Sequence, residues 1–453
     1  MAHAEVVALN DELHRPVRHG GMLWAGEQGV RVGEQKLAID GGKPMLPRPL
    51  EIGKGVSLLG DEERKAVLEV LESRSLFRYY GPHLLAKVEA FERASCDLLG
   101  STYAVATSSG TAAIRAGLAA LGVGCGDEVV VPAFTFIATV NAVVTMGAVP
   151  VFAEIDDSWG MDPGDLDGRI TDRTAAVIPV HLENCASDMD PLLEVCRRYG
   201  VPVLEDTAQS MGATYRGRSL GTMGDLGAFS LQLEKNVTSG EGGLLVSDDE
   251  RLYLRAARYQ DQGGQFVTST GSERGTGEIE PFVGENLRMT EIAGAIAGIQ
   301  LTKLPGLLAA QRANHRRILR AIGEPPGLEF RRRPDAEGDG CSSIGFFLPD
   351  ADLARRFAKA LIAEGLPAGR MYRGQPVYAT ESILQKRTAS GKGGPWNCAE
   401  HPTGVDYRMG MCPHTEDLAA RSALVMVAAS YTASQCDAVA EAILKVCGAL
   451  LGR

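Results

Sequence analysis

Between Lys87 and Lys303 the chain carries a single lysine, Lys235, although arginines recur throughout that interval. Lys235 follows the apolar run Leu226-Gly-Ala-Phe-Ser-Leu231 and precedes Asn236-Val-Thr-Ser-Gly-Glu-Gly-Gly243. It therefore falls just past the carboxyl end of an expected strand. In isolation a lone lysine reads as a surface residue. At a strand end, out of water, it becomes a nucleophile. Desolvation disfavours the ammonium, and the free amine can form a Schiff base with a carbonyl compound.

Pyridoxal phosphate (PLP) is a carbonyl partner that makes further demands, and the sequence offers a residue for each. A pyridinium nitrogen needs an acidic partner to keep the ring an electron sink. Asp206 closes the run Val201-Pro-Val-Leu-Glu-Asp206, although an aspartate there also reads as a turn or helix cap. A phosphate needs backbone N–H groups at a helix start. Thr107-Ser-Ser-Gly-Thr-Ala-Ala113 supplies a small-residue turn between strand and helix, a signal that is weak alone because Ser and Thr are common caps. Phe134 and Phe136 offer an aromatic face, or simply core. Gly122-Val-Gly-Cys-Gly126 lies after a helix and before a strand, the reverse of a dinucleotide fingerprint. No GxxxxGK[ST] loop and no His/Glu cluster with metal spacing is present, so no metal is expected.

The elements that must hold these residues are short apolar runs alternating with helical patterns. Strands are expected at Tyr103–Thr107, Glu128–Val131, Val149–Phe152, Ala176–Val180, Val201–Glu205, Leu226–Ser230 and Gly243–Ser247. Apolar spacing such as Ile114, Leu118, Leu121 marks helices between them. That alternation predicts an α/β fold with a large, mostly parallel sheet covered on both faces. Ligands in such sheets bind at the carboxyl ends of the strands. Residues 1–45 read as an N-terminal arm, 46–304 as the large domain, and 305–453 as a smaller α+β domain that includes a connecting helix at Pro305–Gly323. Within the smaller domain we expect strands at Ile344–Leu348 and Leu424–Ala428. A helix bearing Leu353, Phe357 and Leu361 lies between them, and a closing helix follows Thr432. The Gly-, Ser- and Thr-rich stretches 261–281 and 379–400 read as mobile loops.

Composition narrows the function. The formal charge of −11 over 453 residues argues against nucleic-acid binding. The first residues lack the apolar stretch of a signal peptide. The longest apolar region, 129–152, is broken by Pro132, Asn141, Gly147 and Pro150, so no membrane span is expected. Nine scattered cysteines without CxxC spacing indicate neither a zinc site nor a disulfide framework, and suggest a reducing, cytoplasmic setting. Glycine is in excess, 54 residues, which points to tight turns or close backbone approach to a ligand.

In order and spacing, the stretches Ser108-Ser-Gly-Thr111, Gly126-Asp-Glu-Val-Val-Val-Pro-Ala-Phe-Thr-Phe136, Glu205-Asp-Thr-Ala-Gln209, Gly224-Asp-Leu-Gly-Ala-Phe-Ser230, Lys235, Gly240-Glu-Gly-Gly243 and Gly284-Glu-Asn-Leu-Arg-Met-Thr-Glu291 form one set. With them the chain, from about Leu37 to Gly448, resembles the DegT/DnrJ/EryC/StrS family of PLP-dependent aminotransferases of fold-type I. The resemblance implies that Lys235 binds PLP as a Schiff base and carries the proton of transamination. It implies that Asp206 pairs with the pyridine nitrogen, that Gln209 lies near the ring hydroxyl, and that Phe136 stacks on the ring. Gly110, Thr111 and Ser230 would bind the phosphate. Asn286 would reach the phosphate of a neighbouring subunit in a homodimer with shared sites.

The resemblance further implies glutamate or glutamine as amino donor and a keto-sugar or cyclitol as acceptor, in amino-sugar or antibiotic biosynthesis. Arg258 and Arg288 are candidates for the donor carboxylate. A PLP enzyme of the same fold with dehydratase, racemase or oxidase chemistry is the alternative. The family's sugar dehydratases replace the lysine with histidine, so Lys235 argues against that branch. Two departures fall where substrate is chosen. His181-Leu-Glu-Asn-Cys185 stands where the family usually has a Tyr-Gly. Gly369-Arg-Met-Tyr-Arg-Gly-Gln-Pro-Val-Tyr378 stands where a His-Tyr pair is common. The Phe229–Lys235 stretch is similar to members acting on an eight-carbon ulosonate, whereas Leu37–Pro44 is similar to members that make aminocyclitols.

Overall fold

Valine-, alanine- and leucine-rich runs, too short and too apolar for surface helices, form a central sheet. The structure, a computed structural model, describes residues 36–264, 279–397, 399 and 405–452. The strands are β1 (Tyr103–Thr107), β2 (Glu128–Pro132), β3 (Val149–Ala153), β4 (Thr174–Val177) and β5 (Leu204–Asp206), a small hairpin β6 (Thr214–Tyr215) and β7 (Arg218–Ser219), then β8 (Leu226–Ser230) and β9 (Gly243–Ser247). Hydrogen-bonded ladders join β3-β2-β4 and β5-β8-β9-β1. Parallel bridges Val177–Val203 and Val180–Asp206 join the two groups. Only β9 is antiparallel to its neighbours, β1 and β8. The expected mostly parallel sheet is therefore present, and its parallel strands end at one edge.

Several boundaries differ from expectation by one or two residues, including those of β2, β3 and the strands at Ser343–Phe347 and Ser422–Met426, and the three largest differences each fall at a proline. β4 ends at Val177 rather than Val180, because Pro179 has no N–H to donate. β5 starts at Leu204 rather than Val201, for the same reason at Pro202. The helix expected to open at Pro305 in fact begins at Glu291 and runs to Ile322, with Thr290 capping it and Pro305 inside. A proline inside a helix costs about 3 kcal/mol. Here Leu301, Leu304, Leu307 and Leu308 are buried on both sides of it, and their packing outweighs the lost hydrogen bond.

The helices before it are α1 (Asp61–Ser73), α2 (Lys87–Leu99), α3 (Gly110–Leu121), α4 (Ile137–Thr145), α5 (Pro163–Leu166), α6 (Met189–Tyr199) and α7 (Glu250–Gln260); the long helix is α8. α8 alone among the described helices is long and apolar enough to cross a membrane.

The remaining strands, β10 (Glu329–Phe330), β11 (Ser343–Phe347), β12 (Ala368–Gly369) and β13 (Ser422–Met426), make a second, antiparallel sheet in the order β10-β11-β13-β12. Helices α9 (Ala351–Ala363), α10 (Glu381–Leu384), α11 (Pro413–Arg421) and α12 (Ala433–Leu450) accompany it. Phe346, Phe357, Leu361, Val425, Val439 and Ile443 form its core with Ile318 of α8. Thr432 caps α12 through a reciprocal bond with Gln435, as its position suggested. Leu37 is 2 % exposed in this same core. The Glu364 carboxylate bonds the amides of Ala38 and Met45 at 2.9 Å each, so the chain from Leu37 onward is anchored.

The stretch 379–397 is not the open loop its composition suggested. It forms α10 and a short turn at Gly394–Asn397, with Ile383 and Trp396 buried. Trp396 donates to Tyr407 at 3.1 Å, and Tyr407 donates to the Pro150 carbonyl at 2.7 Å. Of the other expected loop, residues 265–278 lie outside the described residues. Cys125 is disulfide-bonded, although the scattered cysteines indicated no disulfide framework. Cys96, Cys185, Cys196, Cys341, Cys412, Cys436 and Cys447 are free.

Candidate active site

At the carboxyl edge of the sheet, β1 hands over to α3 through Thr107-Ser-Ser109. Ser109 caps the helix, its hydroxyl accepting the Ala112 amide at 3.1 Å. The amides of Gly110 and Thr111 belong to the first turn, which has no intrahelical acceptors, and the helix dipole adds positive potential there. Ser230, the last residue of β8, closes against this turn. A β-carbon on Gly110 would come within 2.7 Å of the Ser230 Cβ, so only glycine allows the approach. Gly110, Thr111 and Ser230 thus share one concave, donor-rich corner suited to an anion.

Two consecutive carboxylates end β5, and strand geometry sends them to opposite faces. Glu205 accepts the amides of Gly221, Met223 and Gly224 at 2.6–2.9 Å and meets His181 Nε2 at 3.0 Å. The Ser187 amide donates to His181 Nδ1 at 3.1 Å, so Nε2 carries the proton toward Glu205. Asp206 turns the other way. Its Oδ2 accepts from Thr139 at 2.7 Å and its Oδ1 from the Ala208 amide at 3.1 Å. It is 4 % exposed, and burial pushes its pKa up despite both hydrogen bonds. Such a carboxylate gains most from a cationic partner.

Lys235 lies in the turn after β8. Its amide donates to the Gln232 carbonyl, and its own carbonyl accepts the Gly55 amide, both at 3.0 Å. Burial pulls its pKa down, and the neighbouring Lys54 ammonium pulls in the same direction; Glu183, Asp206 and Glu234 act against them. The net direction favours the free amine. Lys54 is paired with Glu183, Nζ to Oε2, at 3.4 Å. Glu183 and Asn184 both have positive φ, 49° and 62°. Asn184 and Asn236 are joined side chain to side chain, Asn236 Nδ2 to Asn184 Oδ1 at 2.7 Å, which fixes the residue after Lys235.

An aromatic wall completes the edge. Phe134 meets Tyr372 edge-on with ring centres 5.1 Å apart, and Phe136 tilts against it at 6.4 Å. Gln209 links this wall to the lysines. Its Nε2 donates to the Tyr372 hydroxyl at 3.1 Å and its Oε1 accepts the Glu183 amide at 3.2 Å. Burial raises the Tyr372 pKa, so its hydroxyl stays protonated.

The structure therefore gathers Gly110, Thr111, Phe136, Asp206, Gln209, Ser230 and Lys235 at one sheet edge. Asn286 stands apart and exposed, on a strip whose Leu287 carbonyl accepts the Ser108 amide at 2.7 Å. Arg288 on the same strip is ion-paired with Asp261 at 2.8 Å, and Arg258 is buried nearby in α7. Sequence reasoning missed Thr139, Lys54 and Glu183 as members of the site. Glu183 and Tyr372 had a signal, since both fall in the stretches that depart from the family pattern. Lys54 had none.

Residues 58–393 match the model of the DegT/DnrJ/EryC1/StrS aminotransferase family. The chain belongs to this family. It is 34 % identical over 408 residues to the L-glutamine:2-deoxy-scyllo-inosose aminotransferase of Streptomyces fradiae, an alignment covering 85 % of this chain and 91 % of that one. It is 39 % identical over 270 residues to the GDP-perosamine synthase of Caulobacter vibrioides, covering 59 % and 68 %. Among solved structures, 3-amino-5-hydroxybenzoic acid synthase superposes with a TM-score of 0.73 at 26 % identity, over 90 % of this chain and 99 % of that one.

As a DegT/DnrJ/EryC1/StrS aminotransferase of fold-type I, the chain is an enzyme whose family implies PLP. The side chains present fit that cofactor. The glycine-lined corner beside Ser230 suits a phosphate, the buried Asp206 carboxylate suits a pyridinium, and the Lys235 amine suits an aldehyde.

Proposed function

We propose that this chain moves an amino group from glutamine or glutamate to the ketone or aldehyde carbon of a sugar or cyclitol, within amino-sugar or antibiotic biosynthesis. The observation that carries the proposal is the placement of Lys235 and Asp206 at one strand edge, with opposite shifts in proton affinity. When bound, PLP supplies the electron sink that makes the donor α-proton removable. Gly110, Thr111 and Ser230 would hold its phosphate, Asp206 its ring nitrogen, and Phe136 one ring face. Gln209, fixed by Tyr372 and the Glu183 amide, would lie at the ring hydroxyl. Lys235 Nζ, its pKa pulled down by burial and by Lys54, would take the proton from the donor carbon and later return one to the product carbon. Arg258 or Arg288 would hold the donor carboxylate.

The proposal includes a homodimer, with Asn286 reaching a second copy's phosphate corner. Supporting it, Val283 is 94 % and Tyr80 60 % exposed. Tyr80 packs on Phe77, itself under the Arg288 guanidinium, so both apolar groups border the Asn286 strip. It also includes a large and a small domain meeting near residue 304, which the two separate sheets support; α8 carries the chain through that point without a break. A cytoplasmic location belongs to the same proposal.

The test is Lys235→Ala together with transfer of 15N from glutamine or glutamate to an acceptor panel. Wild type should label a sugar or cyclitol amine and the variant should not. Retained turnover in the variant, with an unchanged visible cofactor band, would refute the assignment.

A further inference from the structure

A cavity of about 250 Å³ opens between the second half of α8 and strands β10 and β11. Apart from Glu183, its lining comes from α8, these two strands and the segment that joins them. Two of the lining residues carry a buried polar atom with no hydrogen-bond partner among the described residues, His315 Nδ1 and the Ser343 hydroxyl. His315 itself is 2 % exposed. Burial and the nearby Arg333 hold its pKa down, to about 3, so the ring is neutral and keeps one bare nitrogen as an acceptor. Buried polar groups are normally paired, and two unpaired ones in one wall mark a place that can receive a polar ligand.

Opposite charges are held apart in the same lining. The Asp339 carboxylate is 4 % exposed and accepts the Cys341 amide at 2.6 Å. Burial pushes its pKa up, although Arg331 and Arg333 act on it through space. Arg331 directs Nε and one Nη to the carbonyls of Ser158 and Leu182, at 2.7 and 3.1 Å, and lies over the Trp159 ring. Arg333 reaches the Cys341 Sγ at 3.8 Å and has no carboxylate partner among the described residues. A buried carboxylate of this kind gains from an added cation, and a guanidinium with open donors gains from an added carboxylate. In contact the two would satisfy each other. Held apart, they complement a ligand that carries both charges. The other acidic groups do not reverse this, since Glu183 is paired with Lys54 and Glu324 is exposed.

Leu319, Phe330 and Ile344 give the cavity an apolar side. Its volume lies below the roughly 300–1,000 Å³ of pockets for drug-sized ligands, which favours a compact molecule over a nucleotide. We propose that this cavity is a second ligand site, for a free α-amino acid with an apolar side chain. The ligand carboxylate lies against Arg333, its ammonium against Asp339 and the bare His315 nitrogen, and its side chain against Leu319, Phe330 and Ile344.

The experiment titrates L-leucine into the holoenzyme by calorimetry. It is run beside two half-ligands, 4-methylpentanoate, which lacks the ammonium, and 3-methylbutylamine, which lacks the carboxylate. The leucine titration is repeated on enzyme whose Lys235 is blocked with pyridoxal phosphate and borohydride. Leucine should saturate a single site in both forms, and each half-ligand should bind at least roughly 10-fold more weakly, the effect of losing a hydrogen bond between charged groups. Arg333→Gln should weaken leucine by a similar factor and leave the visible cofactor band unchanged. Asp339→Asn should weaken leucine but not 4-methylpentanoate. Arg333 is only half-buried, so its variant reports even where Asp339→Asn fails to fold. Absence of saturable heat, a half-ligand as tight as leucine, or unchanged affinity in Arg333→Gln overturns the site. Loss of leucine binding in the blocked enzyme also overturns it, by assigning leucine to the position of the amino donor.

Discussion

The amide of Gly55 donates a 3.0 Å hydrogen bond to the carbonyl of Lys235, although 180 residues separate them. A β-carbon at Gly55 would lie 2.6 Å from the Asn236 carbonyl oxygen and 2.9 Å from those of Lys235 and the Gln300 side chain. The bond therefore exists only because residue 55 is glycine. It clamps the backbone on either side of the reactive amine.

Gly55→Val should accordingly loosen the lysine turn. Overpacking of this kind costs about 1–3 kcal/mol. Denaturant unfolding should show that loss, and reductive labelling of Lys235 by pyridoxal and borohydride should slow. Unchanged labelling would mean that the clamp does not position the amine.

Asp206 makes the cofactor-free protein pH-sensitive in a defined direction. Its pKa in the folded chain is raised above the ordinary 3.8. The folded state then holds a proton that the unfolded state has released, so this group's contribution to stability is full below the ordinary value and is lost as pH rises through the folded one. Asp206→Asn should flatten that slope in urea titrations from pH 4 upward. Thr139→Val removes a hydrogen bond that lowers the pKa, and should extend the slope to higher pH.

Lys445 and Glu364 form a buried ion pair at 2.9 Å, 5 % and 0 % exposed. Glu364 also fastens the Ala38 and Met45 amides. Lys445→Met leaves the carboxylate buried and unpaired, at a cost of about 3–5 kcal/mol. The thermal midpoint should fall, and proteolysis should reach the segment around residues 36–46 earlier than in wild type.

Glu205 organises the turn before β8 by accepting three amides and facing His181. Glu205→Gln places an amide nitrogen against amide donors or against His181. Losing hydrogen bonds to a buried carboxylate costs roughly 2–4 kcal/mol. Because Asp206 is the next residue, the cofactor absorption band should also shift. A variant with wild-type stability and spectrum would show that Glu205 is not the organiser of this edge.

Lys235 and Asp206 were legible because chemistry of this kind needs rare residue types at strand ends, and period and composition locate strand ends well. β1, β8 and β9 fall where expected. Expected boundaries drifted at Pro179, Pro202 and Pro305, where local propensity competes with packing that a linear pattern does not contain. The excess glycine was similarly mute. Gly110 and Gly55 differ from glycines in ordinary turns only through what stands opposite them, Ser230 and the Lys235 backbone.

What the sequence alone determined is the set of groups that do the chemistry, since an amine, a carboxylate and a helix start are fixed by residue type and local order. What only the tertiary structure decided is which distant groups surround them. Lys54, Thr139, Glu183 and Tyr372 lie as many as 181 residues from Lys235 and have ordinary identities. They join the site because the sheet edge, α8 and the second sheet bring their backbones together. Electrostatic and hydrogen-bond energies depend on those distances in space and not on separation along the chain.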